Sequence, residues 1–436
     1  MSEPRKKYYT TACYFIMTEN CNLRCVYCFE KTTRAVTKTI DLGSAHKVVD
    51  MLFEQAKAQI EETGNQNALV DITFFGGEPC LALDECEDIL EYACNKRDET
   101  GIKTTFLIIT NATIYNEKVE HFLQLWYDRC GSVMVQLSID GIPEIQNANR
   151  PCANHNIKSS DLVEANIVKY KEWMKSHNVS WDHLFVHCVV SKASLPKLYE
   201  NYVYFARKLD VRFEFAWVYE DAWDDDDIVI LDNSLDRIVA DMSQWCNYTH
   251  LFPFKRANYC TGCGSGKQLI SMDTEGNLYP CHRFFFYSME SREAMCLGNI
   301  NDENPINEDI RQKFIDLEEV VATTDPCQMC AAVNYETSGQ IDIIPNIYGI
   351  EFMKVLNKYY NIFVEIIERK MMTMNIRNLT TRCENLERTI IRLASLMKVK
   401  LDISDEELPI INQKTGEKFT IRCDESKCEN CEGCEE

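Results

Sequence analysis

The sequence predicts an α/β fold whose first half is a parallel sheet curled into a partial barrel of six β-then-α units. Three observations carry the prediction. Six largely apolar runs of strand length alternate with amphipathic helical stretches between residues 11 and 218. Apolar runs of this kind suit parallel strands covered by helices, and repeated right-handed crossovers curl such a sheet. Polar or glycine-rich motifs follow each of the first four runs, where ligand sites lie in folds of this class.

The elements read in order as follows. A strand over 11–17 stops just before a cysteine group. Residues 44–62 form a helix with Val48, Val49, Leu52, Phe53 and Ala56 on one face. A strand over 70–75 runs into Gly76-Gly77, and a helix over 84–94 follows. Strand 104–110 is paired with helix 117–127, and strand 133–139 ends in Asp140-Gly141. Helix 160–177, strand 184–190, helix 195–209 and strand 212–218 complete the six units. The pattern breaks at Ala222-Trp223 and the run Asp224–Asp227, which reads as a solvated loop or helix start, with a cation site as the competing reading. A helix over 235–246 leads on from there. The divisions expected are a barrel over 9–225, a linker helix over 226–257, a small cysteine-bearing domain over 258–346, a helical region over 347–400 and an acidic tail over 401–436. In the helical region Leu379, Cys383, Leu386, Ile390, Leu393 and Met397 form a short heptad seam, packed on its own protein or on a partner helix.

Bulk properties narrow the class. A chain of 436 residues exceeds one ordinary core, so two to three domains are expected. No run of 18 apolar residues occurs, so no membrane span is expected. The formal charge of -22 argues against a nucleic-acid partner. The N-terminal residues carry no apolar stretch of a secretory signal, and the 22 cysteines fall in close C-x2-C and C-x3-C pairs. Metal binding in a reducing cytoplasm is the reading they favour over disulfides. Cys80, Cys94, Cys130 and Cys188 lie in or beside apolar stretches and read as core fillers.

The most informative segment is Cys21-Asn-Leu-Arg-Cys25-Val-Tyr-Cys28. Its C-x3-C-x2-C spacing offers three thiolates to a [4Fe–4S] cube that has four corners. The corner left open can hold a reactant, which suits chemistry rather than electron carriage.

Cys21, Cys25, Tyr27 and Cys28 resemble the hallmark of the radical S-adenosylmethionine (radical SAM) enzymes, C-x3-C-x-aromatic-C. The resemblance implies a partial (β/α)6 TIM-like barrel. It implies that SAM chelates the open iron and is cleaved by one electron to a 5′-deoxyadenosyl radical, which takes a hydrogen from substrate. Gly76-Gly77-Glu78-Pro79 is similar to the family's GGEP element, with the Glu78 carboxylate expected on the SAM amino group. Asn111 sits in Thr-Asn-Ala-Thr, where relatives usually have Thr-Asn-Gly-Thr. Ser138 and Asp140 are expected to face the ribose, and Arg150 the SAM carboxylate.

Further on, Cys260, Cys263, Cys281, Cys327 and Cys330 resemble the SPASM or twitch extension, which implies at least one auxiliary [4Fe–4S] cluster. The two later cysteines of the full form are absent, and a structural zinc site is the competing reading. Cys423, Cys428, Cys431 and Cys434 could complete a metal site or belong to a free tail. His282, directly after Cys281, is a candidate base; Glu220 and Asp221, past the sixth strand, are two more.

The pattern is most similar to enzymes that modify peptides, such as anaerobic sulfatase-maturating enzymes and thioether-peptide maturases. Oxidation or crosslinking of a peptide or protein side chain is therefore expected, with a reductase such as flavodoxin or ferredoxin as electron donor. Two rivals stand beside it: a twitch-type enzyme acting on a small molecule, and a non-catalytic iron–sulfur carrier. An intact SAM pocket discriminates against the last.

Overall fold

The computed structural model describes residues 7–28, 38–218, 221, 223–244, 264–286 and 289–324, with 355, 358–359, 361–362, 410–411 and 418–419. The chain divides into two units, residues 1–365 and 366–436. In the second, Ile410–Ile411 pairs antiparallel with Lys418–Phe419. The heptad seam and the four tail cysteines lie outside the described residues.

The first unit is built on one sheet. Its strands are β1 (Ala12–Ile16), β2 (Leu69–Phe75), β3 (Lys103–Thr110), β4 (Val135–Ser138), β5 (Leu184–Val190), β6 (Arg212–Trp217), β7 (Leu269–Met272), β8 (Asn277–Tyr279) and β9 (Gly298–Asn299). They lie in the order β6-β5-β4-β3-β2-β1-β7-β8-β9; the pairings among β1 to β7 are all parallel, and β8 runs antiparallel to both β7 and β9. The sheet is open, with β6 and β9 at its edges. Parallel pairing forces each connection to cross over, and helices α1 (Leu42–Thr63), α2 (Leu83–Thr100), α3 (Glu117–Cys130), α4 (Pro143–Asn149), α5 (Ser159–Ser176) and α6 (Leu198–Val203) make the crossings.

Burial explains why these segments fold as they do. Val48, Val49, Leu52 and Phe53 of α1 are buried on one face, each stabilising by about 1.5–3 kcal/mol. The Asp41 carboxylate caps that helix by accepting from the Ser44 amide at 2.8 Å, and the Asn116 side chain accepts from the Val119 amide to cap α3. The expected helix over 195–209 is instead three short pieces: a 3-10 turn at Leu195–Lys197, α6, and a π-helical turn at Tyr204–Leu209. The aspartate run is a helix start. Helix α7 spans Asp225–Gln244, and acidic residues in its first turn face the positive end of the helix dipole. The cation that the aspartate run holds is the Lys192 ammonium, bonded to Asp224, just before the helix, and to Asp227 at 2.9 Å.

One expected boundary falls elsewhere. Strands β7 to β9 within residues 264–300, placed by the sequence in a separate small domain, continue the same open sheet. Strand β7 pairs with β1 from Ala12↔Leu269 to Phe15↔Met272. The reason is the exposed edge that β1 would otherwise present: its buried backbone groups need partners. Helix α10 (Glu308–Thr324) locks the junction, for Arg311 donates to the Gly266 and Lys267 carbonyls and to Thr10 Oγ1. Helices α8 (Arg283–Phe286) and α9 (Met289–Ala294) connect β8 to β9. Among the described residues no helix is long and apolar enough to cross a membrane.

The loop after β2 shows a close approach of two backbones. The Gly77 amide donates to the Thr18 carbonyl at 2.8 Å and the Glu78 amide to the Asn20 carbonyl at 2.9 Å. A Cβ on Gly77 would lie 2.1 Å from the Asn20 oxygen, and one on Gly76, at φ +118°, would lie 2.8 Å from the Thr18 oxygen. These glycines admit the segment that delivers the cysteine loop, rather than a ligand alone. Gly77→Ala is expected to cost roughly 1–3 kcal/mol by overpacking and to lower iron loading. Urea denaturation with iron counting checks this; a variant with unchanged stability and iron would show that the contact is slack.

Candidate active site

The cysteine loop is held by a second loop that follows α4. The Arg24 amide donates to the Pro151 carbonyl at 2.7 Å, the Val26 amide to the Asn149 carbonyl at 2.8 Å, and the Ala153 amide to the Asn22 carbonyl at 2.9 Å. Leu23, Cys25 and Cys152 form a buried cluster at this seam, with Cys21, Cys28 and Leu162 packed on it. The Cys21 sulfur accepts from the Leu23 amide at 3.5 Å and from Asn111 Nδ2 at 3.9 Å, and Arg150 Nη1 lies 4.0 Å from the Cys25 sulfur. Donors and a cation of this kind favour thiolates, the form that ligates metal.

Cys21, Cys25 and Cys28 all open onto one cavity of about 380 Å³ at the C-terminal ends of the strands. That volume falls within the range of cofactor-sized sites. Gly76, Gly77, Glu78, Asn111, Ser138, Arg150 and Tyr27 line the same cavity, so the structure brings together seven of the eight expected SAM contacts. No other cysteine lines it among the described residues; Cys152 packs behind the loop. The donor set therefore fits a [4Fe–4S] cube, which Cys21, Cys25 and Cys28 would hold by three thiolates. Among the described residues no three Cys, His, Asp or Glu side chains converge on one ion-sized point. A cube differs from a zinc site in spreading its thiolates over separate corners.

The eighth residue, Asp140, is fully buried and does not line the cavity. Its Oδ2 accepts from the Tyr27 hydroxyl at 2.5 Å and its Oδ1 from Arg150 Nε at 2.9 Å. The Arg150 guanidinium also stands 5.4 Å from the Tyr27 ring centre. The expectation that Asp140 faces a ribose gives way to a different role, because its carboxylate is the pin between the cysteine loop and Arg150. Burial works against the Arg150 charge, but Asp140, then Tyr27 and Cys25, hold the guanidinium well above its ordinary value. Burial likewise pushes the Tyr27 hydroxyl well up, against the pull of Arg150.

Glu78 lines the cavity and is also tied into the protein. Its side chain is 1 % exposed, and both oxygens are occupied by the protein. Oε1 accepts from the Thr110 hydroxyl at 2.6 Å and the Cys80 amide at 3.0 Å; Oε2 accepts from the Asn111 amide at 2.7 Å. Burial raises the Glu78 carboxyl and these donors pull it back. The residue ties the loop after β2 to the end of β3. Asn111 extends the same network, donating to Asn22 Oδ1 at 2.8 Å and accepting from the Thr113 hydroxyl at 2.6 Å. Ala112, standing where relatives carry glycine, has φ 62° and is fully buried. A left-handed alanine costs about 1–2 kcal/mol. Asn166 holds the turn by donating to its carbonyl at 3.1 Å.

The candidate bases fall in different places. His282 lines the cavity, stacked on Tyr14 at 4.8 Å and edge-on to Phe75 at 4.9 Å. Burial, and then Arg283, bring its imidazolium down to about 3. Asp221 lies outside the cavity lining, where its carboxylate accepts from the Lys192 amide at 2.6 Å and ties the turn after β6 to the segment after β5. Glu220 is outside the described residues. Cys281 is buried at 7 % exposure and does not line the cavity; Cys260, Cys263, Cys327 and Cys330 are outside the described residues.

Sequence reasoning passed over one pair. His187 on β5 and Glu214 on β6 are register partners, bonded at 2.9 Å from Nδ1 to Oε1, and both line the cavity. The signal was available. In Leu-Phe-Val-His-Cys-Val-Val a single polar residue interrupts an apolar strand, and in Arg-Phe-Glu-Phe-Ala-Trp two stand at alternate positions; period-two placement puts His187 and Glu214 on one face once the strands pair. A polar face inside a parallel sheet is costly unless it meets something.

Residues 15–177 match the family described as the Radical SAM superfamily. The chain is 26 % identical over 294 residues to the protein MJ0907 of Methanocaldococcus jannaschii, covering 66 % of this chain and 88 % of that one. It is 27 % identical over 198 residues to a cysteine-type anaerobic sulfatase-maturating enzyme of Clostridium perfringens, covering 45 % of this chain and 48 % of the enzyme. The match thus spans about half of that enzyme's length. Among solved structures, native anSMEcpe with bound AdoMet superposes with a TM-score of 0.59 at 19 % identity, covering 83 % of this chain and 99 % of that one. At that identity the likeness is one of fold.

Proposed function

We propose that this chain, a member of the radical SAM superfamily through its domain at residues 15–177, removes hydrogen from a side chain of a peptide or protein, leaving it oxidised or crosslinked. The observation that carries the reading is the opening of Cys21, Cys25 and Cys28 onto one cavity whose other walls are the GGEP loop, Ser138 and Arg150. Cys21, Cys25 and Cys28 would hold a [4Fe–4S] cluster, which when bound would supply the one-electron reduction of SAM on which the radical chemistry depends. The chain's own groups divide the remaining work. Arg150, fixed by Asp140, places a cation in the wall for a carboxylate; Ser138, at the end of β4, offers a hydroxyl for a ribose. Tyr14, Phe75 and Trp217 give an apolar wall that keeps water from a reactive carbon. His187 with Glu214 is the proton-accepting pair we assign on the β5–β6 side, with His282 facing the cavity from the segment after β8.

The peptide substrate class is supported by the sulfatase-maturating relative. An auxiliary cluster drawing on Cys260, Cys263, Cys281, Cys327 and Cys330, and a flavodoxin or ferredoxin as donor, belong to the same proposal. The test is anaerobic incubation of reduced, iron-loaded protein with SAM and short cysteine- or serine-containing peptides. 5′-Deoxyadenosine should form and rise when a substrate peptide is present, and that peptide should lose the mass of two hydrogens. Failure to cleave SAM under reduction would overturn the reading. Cleavage without any peptide change, across a broad peptide set, would move the substrate class to small molecules.

A further inference from the structure

We propose that Cys94 and Cys130 form a reversible dithiol–disulfide site on the outer helical layer, remote from the cavity cysteines, that reacts with low-molecular-weight disulfides. The sequence reads both as core fillers, but their surroundings differ from those of packed thiols. Cys94 is on α2 and Cys130 ends α3, 36 positions apart, and their sulfurs lie 3.7 Å from one another. Arg97 Nη1 donates to the Cys130 sulfur at 3.5 Å. Arg129 stands beside it, donating to Asn95 Oδ1 at 2.9 Å and Asp98 Oδ2 at 3.2 Å, while Arg97 Nε donates to Asp98 at 2.9 Å. Two guanidinium groups therefore share one carboxylate, and the surplus positive charge faces sulfur.

The two thiols are not equivalent. Cys94 is fully buried, whereas Cys130 is partly exposed. The hydrogen bond from Cys94, with Arg97 and Arg129, brings the Cys130 thiol down to about 7, against the opposing effect of burial. The same contact pushes Cys94 up. A partly exposed thiol of lowered pKa beside a second thiol is the arrangement of an attacking and a resolving cysteine. Other buried thiols lack it: Cys13, Cys86 and Cys188 are raised by burial with no arginine bonded to sulfur.

The chemistry balances without further partners. The Cys130 thiolate attacks one sulfur of a small disulfide RSSR; the RS–SR bond breaks and RS⁻ leaves, to be protonated by solvent. Cys94 then gives up its proton to solvent and attacks the Cys130 sulfur, expelling the second RS⁻. Two protein thiols are oxidised and one RSSR is reduced to two RSH. The sulfurs need close only from 3.7 Å to a bond of about 2.05 Å. The crosslink joins the helices that follow the Gly76–Glu78 loop and the Asn111 turn, so it would brace two walls of the cavity from outside.

Full-length, iron-loaded protein is treated anaerobically with glutathione disulfide, quenched with N-ethylmaleimide, digested without reductant and mapped by mass. A Cys94–Cys130 linked peptide is expected, reversed by dithiothreitol, together with a rise of several degrees in Tm. Cys94→Ser should accumulate glutathione on Cys130, whereas Cys130→Ser should leave Cys94 unmodified. Both cysteines alkylated as free thiols in the wild-type protein, linkage only after denaturation, or glutathione on Cys94 rather than Cys130 would each overturn the proposal. Linkage mapping on the wild-type chain keeps the test decisive even where a serine variant folds poorly.

Discussion

Replacing Cys25 by alanine is expected to abolish iron binding at the cysteine loop and to cut SAM cleavage at least about 100-fold. Loss of a mere supporting group around a metal commonly costs 10–100-fold, so loss of a ligand should cost no less. Cys25 is the middle of the three thiols; its sulfur faces Arg150 Nη1 and opens on the cavity. Cys152 supplies the control. It packs against the same loop at 5 % exposure but does not reach the cavity wall. Cys152→Ala should keep its iron and lose roughly 1 kcal/mol of stability, the value of a small buried group. Iron and sulfide counts on the two variants, prepared identically, separate ligation from packing. Equal iron in both would remove the three-thiol assignment.

The second large effect is expected at Asp140. Its carboxylate is fully buried and paired with Arg150, whose side chain is 9 % exposed. Asp140→Ala leaves that guanidinium buried without its counter-ion and strips the Tyr27 hydroxyl of its acceptor. Breaking a buried pair on one side typically costs about 3–5 kcal/mol. The loss should appear in anaerobic urea denaturation of the iron-free chain, so that cluster binding does not enter. The double change Asp140→Leu with Arg150→Met should recover much of the loss, because neither charge is then stranded. A cost for Asp140→Ala below about 1 kcal/mol would show that Arg150 finds another partner, and the pin between cysteine loop and cavity wall would not exist.

These two cases also show what a sequence can and cannot reveal. Strand β5 was legible to the residue, and β1, β2, β3 and β6 to within a residue at each end, because their apolar runs are long and bounded by turns. Strand β4 is shorter than its apolar run, since pairing with β3 and β5 begins only at Val135. Strands β7, β8 and β9, of four, three and two residues, are too short for periodicity to register. Their place beside β1 follows from an edge that exists only once the sheet is formed. The residue types of the site were legible for the same reason as the long strands: they follow strand ends in order. Their partners were not. Glu78 and Asp140 are carboxylates after strands and read as ligand contacts; each also accepts from a donor far along the chain, Thr110 at 32 positions and Tyr27 at 113, and only Glu78 lines the cavity. His187 and Glu214 were hidden by the opposite error, being read as parts of apolar strands when period-two placement put them on the cavity face.

The central claim is an iron corner in the cysteine loop that is open to SAM. Electron paramagnetic resonance of the reduced, anaerobically loaded protein, with and without SAM labelled by ¹⁵N at its amino group, tests it most directly. Addition of SAM should shift the signal of the reduced cluster and bring in a coupling to the labelled nitrogen. A signal unchanged by SAM, with no such coupling, would contradict it.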